Sequence, residues 1–168
     1  MLNSRLLSLL IVLLATAVGW SQSEWQSFTA PDGTFSLSVP GQPEQTRSDS
    51  ELNEWTVRSE GTRGKRLYLF AAARLDGLSG MSDSEQDQQL SNFTRSFVSS
   101  SHMQVGSQVP LTFSKGYDLT GYLQLPDGED LPAYVRIIMD PLGNRIYALT
   151  AYGSNTDHRR YFESFQTD

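Results

Sequence analysis

Apolar and polar residues alternate along much of this chain in short runs, and turn-forming residues separate the runs. Phe35, Leu37 and Val39 alternate with Thr34, Ser36 and Ser38, the period-two pattern of a strand with one buried face. Trp25 to Ala30 is a second extended segment, and Pro31-Asp32-Gly33 lies between the two. Proline presets one turn angle and glycine accepts a positive one. Pro40-Gly41-Gln42-Pro43 ends the strand, and the polar stretch to Ser50 reads as a loop. Trp55 and Val57 alternate with Thr56 and Arg58 on a third strand. After the turn chemistry of Gly61-Thr62-Arg63-Gly64, Leu67 to Ala73 is apolar on both parities. A strand of that kind is expected to be covered on both faces, and the pair reads as an antiparallel hairpin.

The period then changes. Asp76 to Gly80 is a glycine-rich break, and Ser82-Asp83-Ser84-Glu85 has capping-box spacing. Leu90, Phe93, Phe97 and Val98 fall on one stripe of a helix running to about Ser100. Four more strands are predicted. Gln104 to Phe113 is weakly patterned, and Tyr117, Leu119, Leu123 and Leu125 share one parity, with Gly121 between them. Tyr134 to Met139 and Ile146 to Tyr152 are near-continuous apolar runs, expected to form a central antiparallel hairpin. A short last helix should start from Ser154 or Asn155 and bury Tyr161, Phe162 and Phe165. Strands interrupted by one helix and closed by another argue for an α+β domain, a mostly antiparallel sheet with helices packed on it.

The first residues follow a different logic. Arg5 precedes an apolar core of 13 residues, Leu6 to Val18, and small residues follow at Gly19 and Ser21. This is the layout of a secretory signal, with cleavage expected after Ser21 and a second possible site at Ala15 and Ala17. The run falls short of the roughly 20 apolar residues a spanning helix needs, although an uncleaved anchor is the alternative. No cysteine follows it for lipid attachment. The expected mature domain is residues 22–168, and the net charge of −6 becomes −7 once Arg5 is lost. No second long apolar run follows, so no stable membrane insertion is expected after cleavage. An acidic chain without a basic stripe repels nucleic acid phosphates. With no cysteine at all, thiol catalysis, zinc–thiolate sites and disulfide frameworks are excluded.

Three segments together resemble a known group. They are the opening run from Phe28 to Gly41, the late strand Arg145 to Gly153 and the closing run Arg160 to Phe165. In order and spacing they are similar to the Mog1/PsbP-like α/β/α sandwich proteins, specifically their exported bacterial relatives. That resemblance implies a non-catalytic module that docks to protein complexes, with no catalytic motif to carry over. The photosystem-binding extension of the photosynthetic branch is not recognisable between Ser21 and Trp25.

The search for chemistry leaves catalytic, cofactor-binding and metal roles unassigned, and no cofactor is expected. His102 follows Ser99, Ser100 and Ser101 at a helix end, where a solvated last turn accounts for it. His158 lies beside Asp157, but sequence neighbours on a helix point in different directions. A hydrolase using either histidine, or a small-ligand carrier, remains the alternative. Asp127, Glu129 and Asp130 are the best candidate for a weak calcium loop, yet they lack the Asp-x-Asp-x-Asp-Gly spacing. Arg63, Lys65 and Arg66 form one basic cluster, read as a charged hairpin end that protects a sheet edge. An acidic partner or a lipid head group is the other use for it. An exported protein-interaction or assembly module with an unidentified protein partner is the expected role.

Overall fold

The computed structural model describes residues 25–49, 51–61, 64–125, 128–153 and 157–167. The expected signal segment, residues 1–21, lies outside them. Ten strands and two α-helices follow in chain order: β1 (Trp25–Thr29), β2 (Phe35–Pro40), β3 (Glu44–Ser48), β4 (Leu52–Gly61), β5 (Gly64–Arg74), α1 (Asp83–Ser101), β6 (Met103–Pro110), β7 (Lys115–Gln124), β8 (Asp130–Asp140), β9 (Arg145–Tyr152), α2 (His158–Glu163) and β10 (Gln166–Thr167).

Seven strands form one antiparallel sheet in the order β3-β4-β5-β9-β8-β7-β6. Its centre is β9, because that strand is apolar on both parities. Ile146 and Tyr152 enter the core on one face, while Tyr147, Leu149 and Ala151 enter the core on the other. A half-buried strand could not occupy that position without burying unpaired polar groups.

Each face has its own cover. On one, Leu90 of α1 and Leu78 of a short 3-10 turn meet Leu119, Val135, Ile137 and Ile146. On the other, the β1–β2 hairpin and α2 place Phe35, Leu37, Val39, Tyr161 and Phe162 against Trp55, Tyr68, Phe70 and Tyr147. The result is a three-layer α+β sandwich with the large sheet in the middle. The hairpin sheet is small, in the order β1-β2-β10.

The helix start follows the sequence. Ser82 Oγ accepts from the Glu85 amide at 3.4 Å, and the Glu85 carboxylate accepts from the Ser82 amide at 2.8 Å. α1 ends at His102, whose φ of 54° is left-handed. Leu90 is fully buried, and Phe93, Phe97 and Val98 pack partly buried beside it.

Four expectations need correction, and one short strand was not anticipated. The polar stretch before Ser50 is not all loop, since Glu44–Ser48 is the edge strand β3. Its side chains are largely exposed, so no hydrophobic alternation marks it, and backbone pairing with β4 holds it. The strand expected to reach Phe113 stops at Pro110, and Phe113 is fully exposed in the following turn. β10 is two exposed residues and carries no hydrophobic signal. The N-cap of α2 is Asp157, without a side-chain capping bond, and Ser154 and Asn155 lie outside the described residues. Phe165 falls beyond the end of that helix, yet its ring still packs 4.9 Å from Tyr147.

Tyr152 supplies a stability prediction. Its hydroxyl is buried and has no hydrogen-bond partner among the described residues. Burial pushes its pKa well above the usual tyrosine value, and the nearby Glu54 charge adds to that. Leaving a buried donor unsatisfied costs about 1–3 kcal/mol. Tyr152→Phe removes the hydroxyl and keeps the ring, so it should raise stability by about 1 kcal/mol. A urea melt checks this, and a loss of stability would show that the hydroxyl is partnered.

Candidate functional site: an open sheet face beside the last helix

The β1–β2 hairpin covers only part of its side of the large sheet. Alternation and register place Tyr134 and Arg136 of β8, and Asp118, Thr120 and Tyr122 of β7, on that same side. Thr120 and Tyr122 are exposed there. α2 borders this uncovered part as a wall. Between wall and sheet lies a cleft of about 190 Å³, lined by Asp118, Thr120, Tyr134 and Arg136 from the sheet and by His158, Arg159, Phe162 and Glu163 from the helix side.

Two rigid pairs organise the cleft. Asp118 and Arg136 stand directly opposite each other on β7 and β8. The Arg136 guanidinium donates to both carboxylate oxygens, Nε to Oδ1 and Nη2 to Oδ2, each at 2.7 Å. This fork geometry fixes both side chains. The hydrogen bond to Asp118 holds the Arg136 pKa above its ordinary value against the opposing effect of burial. The guanidinium also lies 5.1 Å from the centre of the Phe162 ring, a favourable cation–ring geometry. In the second pair, the Tyr134 and His158 rings stack with centres 3.9 Å apart and planes 4° from parallel.

The open face continues toward the sheet edge. The Tyr122 hydroxyl donates to Gln104 Oε1 at 2.6 Å, and the Ser107 and Thr120 hydroxyls share a bond of 2.8 Å. The arrangement is a preformed surface of fixed rings, one forked ion pair and small hydroxyls. Tyr and Arg held in this way are typical anchors of protein interfaces.

The candidates singled out in the sequence do not converge. His102 is exposed at the end of α1. The Ser100 and Ser101 hydroxyls donate to carbonyls of the same helix, Phe97 at 3.0 Å and Val98 at 3.2 Å. They act as helix-end groups. His158 does reach the cleft, as a stacking partner of Tyr134. Glu129 and Asp130 sit where the β7–β8 turn enters β8, and Asp127 lies outside the described residues. Among the described residues, no three His, Asp or Glu side chains gather as a metal site requires. Arg63 lies outside the described residues, while Arg66 is half-buried on β5.

Sequence reasoning passed over Asp118, Arg136 and Arg159. A signal for Arg136 was available, because it is the one charge between Tyr134 and Met139. A charge inside an apolar strand requires a partner. Pairing β7 with β8 in register then supplies Asp118.

No family model matches the chain, and no curated protein matches it in sequence. Among solved structures, the chain is similar to the Saccharomyces cerevisiae Ran-binding protein Mog1p. The TM-score is 0.51 at 7% identity, covering 86% of this chain and 96% of that one. The likeness is one of fold, and the α+β sandwich described above is Mog1/PsbP-like.

Proposed function

We propose that this protein is a non-catalytic protein-interaction module that works after export, in the cell envelope or beyond it. A partner docks on the open sheet face beside α2. The observation that carries this reading is the fixed Asp118–Arg136 and Tyr134–His158 set on a face that no other layer of the described residues covers. Such preorganisation lowers the entropy cost of binding. The similar Mog1p is described as Ran-binding, so the same fold serves protein recognition in at least one other case. The export part rests on the apolar segment Leu6 to Val18 and the small residues after it. A mature chain beginning at Gln22 supports export, and one still beginning at Met1 turns the segment into an anchor. Small-ligand carriage fits less well. The cleft of about 190 Å³ is smaller than the roughly 300–1,000 Å³ usual for ligand pockets.

Thr120→Arg is the test of the docking face. The residue is exposed, so an arginine there should fill the cleft mouth with little change in melting temperature. Capture of a partner from the envelope fraction should fall at least about tenfold, as blocking a hot spot does. Equal capture by the variant and the wild type would remove this face from the function.

A further inference from the structure

We infer that β6 pairs antiparallel with β6 of a second copy of this chain, so that two seven-stranded sheets join into one. This goes beyond the docking face proposed above and does not depend on it. Among the described residues, β6 closes one end of the large sheet and pairs with β7 alone. All of its residues after Met103 are exposed, and its outer backbone N–H and C=O groups are a template for another strand. The strand contains no charged residue. The large apolar side chains exposed among the described residues gather here. Val105, Val109, Phe113 and Tyr122 lie on β6, on β7 or in the turn between them, and only Leu142 lies elsewhere. The opposite edge, β3, is built differently. It too carries a bulge, but it bears Glu44 and Arg47 and no large apolar side chain. Edge charges of that kind discourage pairing between molecules.

The bulge in β6 selects the occupant. Gln104, Ser107 and Val109 stand opposite Tyr122, Thr120 and Asp118, and so lie on the open side of the sheet. Met103, Val105 and Gln108 stand opposite Leu123, Gly121 and Leu119, on the α1 side. The alternation therefore changes phase at Gly106, the extra residue. A regular foreign strand must skip that residue, as β7 does, and loses ladder bonds there. A second copy brings the same extra residue at the same place, so the two strands keep count. With a two-fold axis between Gly106 and Ser107, Gln104 meets Val109 of the partner copy on the open side, and Val105 meets Gln108 of the partner copy on the α1 side. No like charges are set opposite each other. Each pair occurs twice, as an isologous interface requires, and both open faces end on the same side of the joined sheet. Pro110 has no N–H to give, but it stands at the strand's end and leaves Gln104 to Val109 free to pair.

One strand pair is a small interface beside the roughly 1,200 Å² of a standard stable complex, and two copies of net charge −6 repel each other. The dimer is therefore weak. Sedimentation equilibrium of the purified protein, from about 1 μM to about 1 mM, should show reversible monomer and dimer, with more dimer at higher salt. Val109→Lys charges an exposed edge position, so it should weaken dimerisation at least about tenfold with little change in melting temperature. Leu142→Lys, in the β8–β9 turn, should leave it within about twofold. The register has its own test, because the chain contains no cysteine. Under mild oxidation, a mixture of the Gln104→Cys and Val109→Cys variants should form a disulfide-linked dimer. Each variant alone should form little, since a position and its own copy then lie about five residues apart along the strands, too far for a disulfide. A monomer at every concentration overturns the inference, as does a dimer that Val109→Lys leaves intact. Gln104→Cys linking to itself as readily as to Val109→Cys overturns it as well. Species larger than a dimer that grow with concentration do the same, because a two-fold pair closes. If the protein stays monomeric while Val109→Lys loses envelope capture, the strand that β6 receives is a partner's, and the second copy falls.

Discussion

Phe35→Ala should be among the most damaging single truncations in this protein, costing about 3–5 kcal/mol. The ring is 1% exposed. Five other rings surround it, with centres at 5.4 Å for Tyr147, 5.6 Å for Trp55, 5.8 Å for Phe165, 6.1 Å for Phe70 and 6.2 Å for Phe28. These neighbours come from β1, β4, β5, β9 and the C-terminal segment. Phe35 is thus the point where the hairpin, the large sheet and the chain end meet. Alanine would leave a cavity lined by rigid rings, and rings held from several elements cannot collapse into it. Domains of this size are stable by only about 5–15 kcal/mol in total, so the variant should lose a large part of that margin. Urea unfolding followed by circular dichroism measures the effect. Leu142→Ala, at a position 90% exposed, should stay within about 0.5 kcal/mol of wild type. A Phe35 variant equally close to wild type would show that the hairpin layer contributes little.

Gly121→Ala should cost about 3 kcal/mol, at the upper end for an overpacked site. Gly121 pairs with Val105 across β7 and β6. A methyl group there would run into the Gln104 carbonyl oxygen, with the Gln104 carbonyl carbon at 3.0 Å and Met103 Cε at 3.1 Å. The obstacle is backbone, so relief requires β6 to move off β7. Met103 is buried beneath α1 and resists that movement. Hydrogen exchange should therefore rise most at the β6 and β7 amides. Gly106 is the contrast on the neighbouring strand. A methyl group there meets only the Thr120 carbonyl oxygen, at an ordinary 3.6 Å. Gly106→Ala should be mild, and equal damage at both sites would refute the steric account.

These two residues differ in how far the sequence announced them. Phe35 stands on a clear alternation, so its burial is legible without any structure. Gly121 is visible only as a gap in the parity of Tyr117, Leu119 and Leu123. That glycine is required there because of where the Gln104 carbonyl lies, which belongs to another strand.

The elements whose cause is local could be read from the chain alone. The Ser82–Glu85 box starts α1, the Pro31-Asp32-Gly33 turn joins β1 to β2, and the apolar runs ending at Met139 and Tyr152 form the core pair β8 and β9. Periodicity and capping act over a few residues, so a few residues reveal them. The rest came from long-range packing. β3 became a strand because β4 offered it backbone partners, although its side chains show no pattern. The open face exists because the small hairpin sheet covers only part of a seven-stranded sheet, a matter of relative size and placement. Asp118 and Arg136 met because β7 and β8 pair in one register, which brings residues 18 apart in sequence within 2.7 Å. Local patterning wrote the strands and helices, while the open part of the large sheet was set by what the other described elements left uncovered.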